Sequence, residues 1–362
     1  MICVKTMTQF PPRFALPFSP AGAGQGACGI VQVRSIPIRW TSDLPIYASE
    51  AFLRLVGRDY GWLGGYDAQD RLCCLLPYTL LRKGCLRMAR FRVETIPVGK
   101  EIDPQTEKLF LDKVVEHLRS ARVDLIMPAS TNTVFRVYPS GAKAAPYGSY
   151  VVDLSRPEHE LWANLHGKHR NVIRNAKKQG VVIRDGSKQV GVIHRMIEET
   201  LGRSGLGFQR FPEFLRFVEG LGNQVKLFVA VHDDAVQGCA VVPYSMHSAY
   251  YLYGGSRSEP LTGALNLLQW EAMQFFRALG VQRYDFVGVR IDPERGSKQD
   301  RLRMFKERFG GTLRQGYIWK YVYRLLPCLL YSAAIRLMRG GDIVDLESHK
   351  LANRAQAVLS RA

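Results

Sequence analysis

The side chains with the clearest capacity for chemistry are basic. Residues 161–180 carry Lys168, Arg170, Arg174, Lys177 and Lys178 and no acidic residue. On a helix, Arg170, Arg174 and Lys177 or Lys178 share one face at i, i+4, i+7 spacing. Such a face could follow an RNA backbone or lipid phosphates through salt-sensitive contacts, or it could be an ordinary solvated surface. A second basic segment holds Arg301, Arg303, Lys306 and Arg308; taken alone, Lys306 reads there as a solvated lysine. Asp285 follows a strand that should be buried, where a carboxylate would orient a substrate amine or bond to backbone amides. Tyr251 and Tyr253 alternate on a strand ending at Gly254-Gly255, which predicts that both point to one face. The eight histidines are scattered, so neither a metal site nor a Ser-His-Asp arrangement has spacing support.

The elements that must position these groups are bounded by composition. A chain of 362 residues, 46% hydrophobic and 23% charged, excludes a mainly disordered, collagen-like or coiled-coil protein and points to two domains. Fifty Lys and Arg against 32 Asp and Glu leave a net charge of +18, which favours polyanionic partners: nucleic acid, an anionic membrane surface or a phosphorylated substrate. Seven cysteines form no C-x-x-C pair. Cys73, Cys74 and Cys239 lie in apolar runs, so the expectation is buried free thiols in a reduced cytoplasmic setting, with no disulfide framework or zinc site. Residues 1–35, rich in Pro, Gly and Ala over much of their length, read as a loose tail rather than a signal peptide. No stretch reaches the ~18 apolar residues of a membrane span. Residues 317–338, interrupted by Lys320, Arg324, Pro327 and Arg336, read as an amphipathic helix lying on a membrane surface or packing on the body.

A repeat organises the middle. Asp67-Ala-Gln-Asp-Arg-Leu-Cys-Cys-Leu-Leu-Pro-Tyr resembles Asp233-Asp-Ala-Val-Gln-Gly-Cys-Ala-Val-Val-Pro-Tyr, and each reads as strand, polar turn, strand. A helix follows in each half, over 109–118 and 265–279, with Gly280 as a C-terminal cap. A strand then opens at Arg122-Val-Asp and at Arg283-Tyr-Asp, which makes Asp124 the apparent counterpart of Asp285. Between the halves, Ser155 and Glu158 have capping-box spacing, and a helix runs to Gln179 before a strand at 181–184. The reading thus divides the chain into a tail (1–35), a first half (36–150), a basic helix and strand completing that half (151–186), a second half carrying the candidate site (187–316) and an amphipathic extension (317–362).

Four stretches resemble the Fem-type (FemABX) transferases, which are built from two acetyltransferase-like (GNAT) halves. They are Tyr150-Val-Val-Asp-Leu-Ser, Lys168-His-Arg-Asn-Val-Ile-Arg-Asn-Ala-Lys-Lys-Gln-Gly-Val, Tyr284-Asp-Phe-Val-Gly and Arg303-Met-Phe-Lys-Glu-Arg-Phe-Gly-Gly. The resemblance covers roughly residues 40–320. It implies an α+β fold of two tandem GNAT-like domains, with mixed, largely antiparallel sheets flanked by helices, a flexible N-terminal tail and an amphipathic C-terminal helix.

It also implies transfer of an acyl group to an amine. The best-studied members move an amino acid from aminoacyl-tRNA to a peptidoglycan-precursor stem peptide; relatives in envelope and polysaccharide pathways take acyl groups from thioester carriers. By that resemblance Phe305 packs against the donor's terminal adenosine and Lys306 meets the reacting carbonyl or a nearby phosphate. Phe208-Gln-Arg210 matches a segment whose arginine meets the acceptor's phosphate, and Tyr251 and Tyr253 lie on a strand facing the cleft. The partners implied are an aminoacyl-tRNA, or acyl-CoA or acyl carrier protein, and a nucleotide- or lipid-linked envelope precursor, with no bound cofactor and a cytoplasmic setting peripheral to the membrane. Ordinary acetyltransferases cradle the CoA pyrophosphate on a glycine-rich turn opening a helix. Here Pro260-Leu-Thr-Gly-Ala-Leu keeps only Gly263, which counts against a standard CoA site in the second half. A non-catalytic RNA- or membrane-binding role is the third reading.

Overall fold

Alternating apolar residues and polar turns build an antiparallel meander in each half. In the computed structural model, which describes residues 29–326, 328–329, 331–333 and 341–359, the first meander joins β1 (Gln32–Ile36), β2 (Asp59–Tyr66), β3 (Leu72–Lys83) and β4 (Leu86–Phe91). Helix α1 (Glu50–Val56) intervenes between β1 and β2, and β5 (Ile96–Pro97) lies against β3. Helix α2 (Pro104–Ser120) starts at Asp103, whose carboxylate accepts from Gln105 N and Thr106 N, satisfying two backbone donors that a helix start leaves open. It buries Phe110, Leu111, Val114 and Leu118. The chain then enters β6 (Leu125–Ile126), parallel to β4, and the long β7 (Lys143–Asp153).

The second half repeats this order. After α3 (Glu158–Asn164), α4 (Gly167–Lys178), β8 (Val182–Asp185), α5 (Val190–Gly202) and α6 (Phe211–Leu221) come β9 (Val225–His232) and β10 (Ala235–Pro243). Asp233 and Asp234, both at positive φ, make the β9–β10 turn, as hairpin geometry requires. Then follow β11 (Ala249–Tyr250), β12 (Tyr253–Ser256), α7 (Ala264–Ala278), β13 (Arg283–Asp285) parallel to β11, α8 (Lys298–Glu307), β14 (Thr312–Val322) and α9 (Ile343–Leu359). The architecture is α+β, two halves of similar element order in tandem.

The halves share their longest strands. β7 and β14 pair antiparallel from Lys143↔Lys320 to Val151↔Thr312. β14 also pairs with β6 of the first half, and β7 with β13 of the second. Each half therefore completes its sheet with a strand from the other, giving a ten-stranded sheet beside a four-stranded one of β12, β10, β9 and β8. One core cluster likewise joins Phe52, Trp62 and Leu75 to Phe214, Val229 and Val241. Gly316 permits the crossing: a Cβ there would stand 2.1 Å from the Phe135 carbonyl oxygen.

Several expectations are corrected. Tyr317–Val322 is strand, not amphipathic helix: Trp319 is buried, and the Lys320 ammonium is matched by Asp342 and Asp345 at 2.7 and 2.6 Å, so its charge does not force the segment to the surface. The helical reading of 334–338 lies outside the described residues, as does the tail through residue 28, whereas Gln32–Ile36 is a strand. The 155–158 capping box does not form. Pro157 caps α3 without a side-chain bond, and the Ser155 hydroxyl donates to Asp153. A break at Leu165 and His166 divides the expected helix into α3 and α4. Strand β8 pairs with β9, so it joins the second half and does not complete the first. Cys73 is disulfide-bonded, while Cys74 and Cys239 are buried free thiols; spacing alone cannot exclude pairing between cysteines distant in sequence.

Candidate active site

The site grows from a turn after β13. Asp285 is buried and accepts hydrogen bonds from the Ser149 hydroxyl of β7 and from the Val287 backbone N–H, the latter at 2.7 Å. This short-range bond draws the chain into a turn that puts Val287 at φ +43°, a conformation a β-branched residue rarely adopts. The turn aims the Val287 and Gly288 carbonyls at Lys306, whose ammonium donates to both, to Gly288 at 2.8 Å. Gly288 N in turn donates to the Thr131 carbonyl of the first half at 2.9 Å.

Helix α8 delivers Lys306. Ser297 caps it by accepting from Asp300 N. Phe309, one turn beyond Phe305, stacks on Phe286 at 4.9 Å and meets His169 of α4 at 4.7 Å. The two glycines that follow are steric necessities. Gly310 has φ +75° with the Asn164 carbonyl 2.6 Å from where a Cβ would sit, and Gly311 would meet Val151 O at 3.1 Å. The Phe-Gly-Gly run thus docks the lysine-bearing helix onto α3 and β7.

Electrostatics follow from this enclosure. Burial raises the Asp285 carboxyl to about 6 and lowers the Lys306 ammonium to about 8, against the pull of the Asp285 charge. Arg314 of β14, bonded to Glu94 at 2.6 Å, is held firmly charged by that carboxylate. Beside α8 runs a groove of about 820 Å³ lined by His166, Asp292, Arg295, Arg303 and Glu307. Lys306 is not among its lining residues; its ammonium faces the seam between the halves.

The other sequence candidates are dispersed. Phe305 is partly buried against His169 and Phe309, at 5.6 and 5.2 Å. Tyr251 and Tyr253 do not share a face, because the chain passes between them from one sheet to the other. Tyr251 packs toward Phe286 at 6.3 Å, and Tyr253 against Phe208 at 5.1 Å and Phe217 at 6.4 Å, in separate cores. Arg210, the residue before α6, is exposed and pairs with Glu213 in that helix's first turn at 2.9 Å. On α4, Arg170 donates to the Ala163 and Leu165 carbonyls at 2.6 and 2.7 Å. Arg174 lies over the Trp162 ring, Lys177 pairs with Glu271 at 2.7 Å, and Lys178 is exposed. Most of that basic face is therefore engaged with the protein.

Asp124 is not the counterpart of Asp285. Asp124 precedes β6 and accepts from Arg87 N and from Arg324, whereas Asp285 lies within β13 and accepts from Ser149 and Val287 N. Sequence reasoning also missed Ser149, Val287, Arg314 and Glu94. Arg314 and Glu94 lie 220 positions apart, and no local pattern links them.

Residues 163–298 match the acetyltransferase (GNAT) domain family. The chain has the fold of FemX, with a TM-score of 0.57 at 14% identity over 79% of this chain and 93% of that one. The chain carries a GNAT domain in a Fem-like tandem fold and is an acyltransferase. Weaker matches join this GNAT-type protein to the C-terminal domain of a putative lysylphosphatidylglycerol synthetase from Agrobacterium fabrum (TM-score 0.46, 14% identity, 73% of this chain and 86% of that). L-PGS from Bacillus licheniformis follows (0.45, 14%, 77% and 89%). No curated protein matches significantly in sequence. Among the described residues no helix is long and apolar enough to cross a membrane, and no cluster of potential metal ligands occurs.

Proposed function

We propose that this acyltransferase moves an aminoacyl group from aminoacyl-tRNA to an amine of a peptidoglycan precursor, at the seam beside Lys306. The carrying observation is the Lys306 ammonium, enclosed yet still mostly charged near neutral pH and fixed by the strained turn at Val287. The acceptor nitrogen attacks the ester carbonyl, forming the amide C–N bond, and the ester C–O bond to the ribose breaks. The ammonium offsets the oxyanion of the intermediate, and the amine proton passes to water or to the departing oxygen. Asp285, buried from substrate, is a positioning residue that acts through the turn.

The tRNA donor is favoured over a thioester by the packing at Gly263. This residue opens α7 at φ +88°, where a GNAT fold would cradle pyrophosphate on free backbone amides. Here a Cβ would lie 2.2 Å from the Val172 carbonyl of α4, so α4 itself fills that approach. Exposed Leu325, Leu326 and Leu329 beside Arg324 support peripheral contact with an anionic membrane at its cytoplasmic face, where a lipid-linked acceptor would be met.

The test is transfer from charged tRNAs to nucleotide-linked stem peptides by the purified chain, with CoA and acyl carrier protein as competitors. Lys306→Ala should lower kcat by about 10²–10³-fold. Undiminished turnover in that variant would remove Lys306 from the mechanism, and inhibition by CoA or acyl carrier protein in place of tRNA would reassign the donor to a thioester.

A further inference from the structure

The first half encloses two positive charges that no carboxylate among the described residues neutralises. Arg90 lies near the end of β4 and Arg92 follows one residue beyond the strand. Arg92 is 7% exposed; its Nε donates to the Thr79 hydroxyl at 2.8 Å and its Nη2 to the Val56 carbonyl at 3.0 Å. Among the described residues Arg90 donates to the Ala129 carbonyl, at 3.4 Å, its Nε is buried without a partner, and the Tyr331 phenol also interacts with it. Every acceptor is neutral, and neither guanidinium forms an ion pair with a carboxylate among the described residues. The charges oppose each other: burial lowers Arg92 to about 9, and Arg90 pushes the same way. Across the seam, the Tyr253 phenol of the second half interacts with both.

An uncompensated buried charge is strongly destabilising, and a neighbouring pair more so. The arrangement becomes favourable once an anion enters. Two forked guanidiniums offer divergent donors and two charges, which matches a phosphoryl group better than a single carboxylate. Partial exposure of Arg90 leaves a way in, while the enclosure of Arg92 excludes a bilayer surface.

We propose that Arg90 and Arg92, with Tyr253 opposite, form a binding site for a phosphate ester or diphosphate between the two halves. The site is coupled to Lys306 through a short path. Arg90 bonds Ala129 O, Gly288 bonds Thr131 O, and Lys306 bonds Gly288 O. Ala129 and Thr131 are two peptide steps apart, at most about 7 Å. A phosphorylated ligand held there lies within one small molecule's length of the ammonium. The assignment goes beyond the proposed donor and acceptor, and its test needs no turnover.

Isothermal titration of the full chain with inorganic pyrophosphate and, separately, succinate reads it directly. Pyrophosphate should bind, and Arg90→Gln should weaken it by at least about tenfold, with Arg92→Lys intermediate. Should Arg90→Gln not fold, Arg90→Lys, which keeps the charge and loses the fork, should weaken binding about threefold. Arg156→Gln, at an exposed arginine paired with Asp153, should leave the affinity unchanged. Equal affinity for succinate, no binding of pyrophosphate, or unchanged affinity in the folded Arg90 and Arg92 variants would overturn the proposal.

Discussion

Lys306 and Asp285 respond to pH in opposite senses, and both are testable one residue at a time. If the ammonium is the working form, the transfer rate should fall as pH rises through about 8, and a pH–kcat profile lacking that limb would deny Lys306 the role of cation. Asp285 titrates at about 6 in the folded chain against an ordinary 3.8. The folded state therefore holds a proton that the unfolded chain has released, and stability declines as pH rises across that window. Asp285→Asn keeps the oxygen that accepts from Ser149 and Val287 but carries no charge. It should be more stable than wild type at pH 7, with the difference closing near pH 4, as read by urea denaturation. A variant less stable than wild type at pH 7 would show that the charge itself holds the turn. The lysine was legible through the Phe-Lys and Phe-Gly-Gly pattern. The turn that grips it was not, because no rule of composition anticipates a valine at positive φ.

At the scale of elements, local signals did well where local physics decides. The helices at Pro104–Ser120 and Ala264–Ala278, the Gly280 stop at φ +82° and the strand after each helix all follow from apolar spacing and turn chemistry. Expectations failed where tertiary partners override them. Lys320 is buried within β14 because two aspartates from the α9 region await it, and Tyr251 and Tyr253 are parted by a change of sheet. The Gly316 crossing gives a sharp expectation. Gly316→Ala would drive a methyl into the Phe135 carbonyl, which backbone cannot yield cheaply, so it should cost more than about 3 kcal/mol. A denaturation midpoint within error of wild type would mean that the strands can slide apart.

For the molecule as a whole, strand sharing sets the cooperativity. Removing residues 312–362 takes β14 out of the ten-stranded sheet, where it joins β6 of the first half to β7 and so to β13 of the second; both halves should therefore unfold together, and the intact chain should melt in one transition. Circular dichroism and tryptophan fluorescence should report coincident midpoints; a truncated chain retaining a folded first half would contradict the shared architecture. The +18 charge was readable at once, but which positive groups are available was not: α4 commits most of its basic face to protein, while Arg90 and Arg92 stand enclosed with no carboxylate partner among the described residues. The sequence by itself determined the two-fold order of elements, since hydrophobic period and turn residues act within a few residues, and resemblance to a known family supplied the fold class and marked Lys306 as a candidate. Only the tertiary structure decided that each half is closed by the other's strand, that Asp285 answers to Ser149, and that two arginines share one seam. Those outcomes depend on contacts between residues as much as 220 positions apart, where chain connectivity imposes no pattern and packing alone selects the partner.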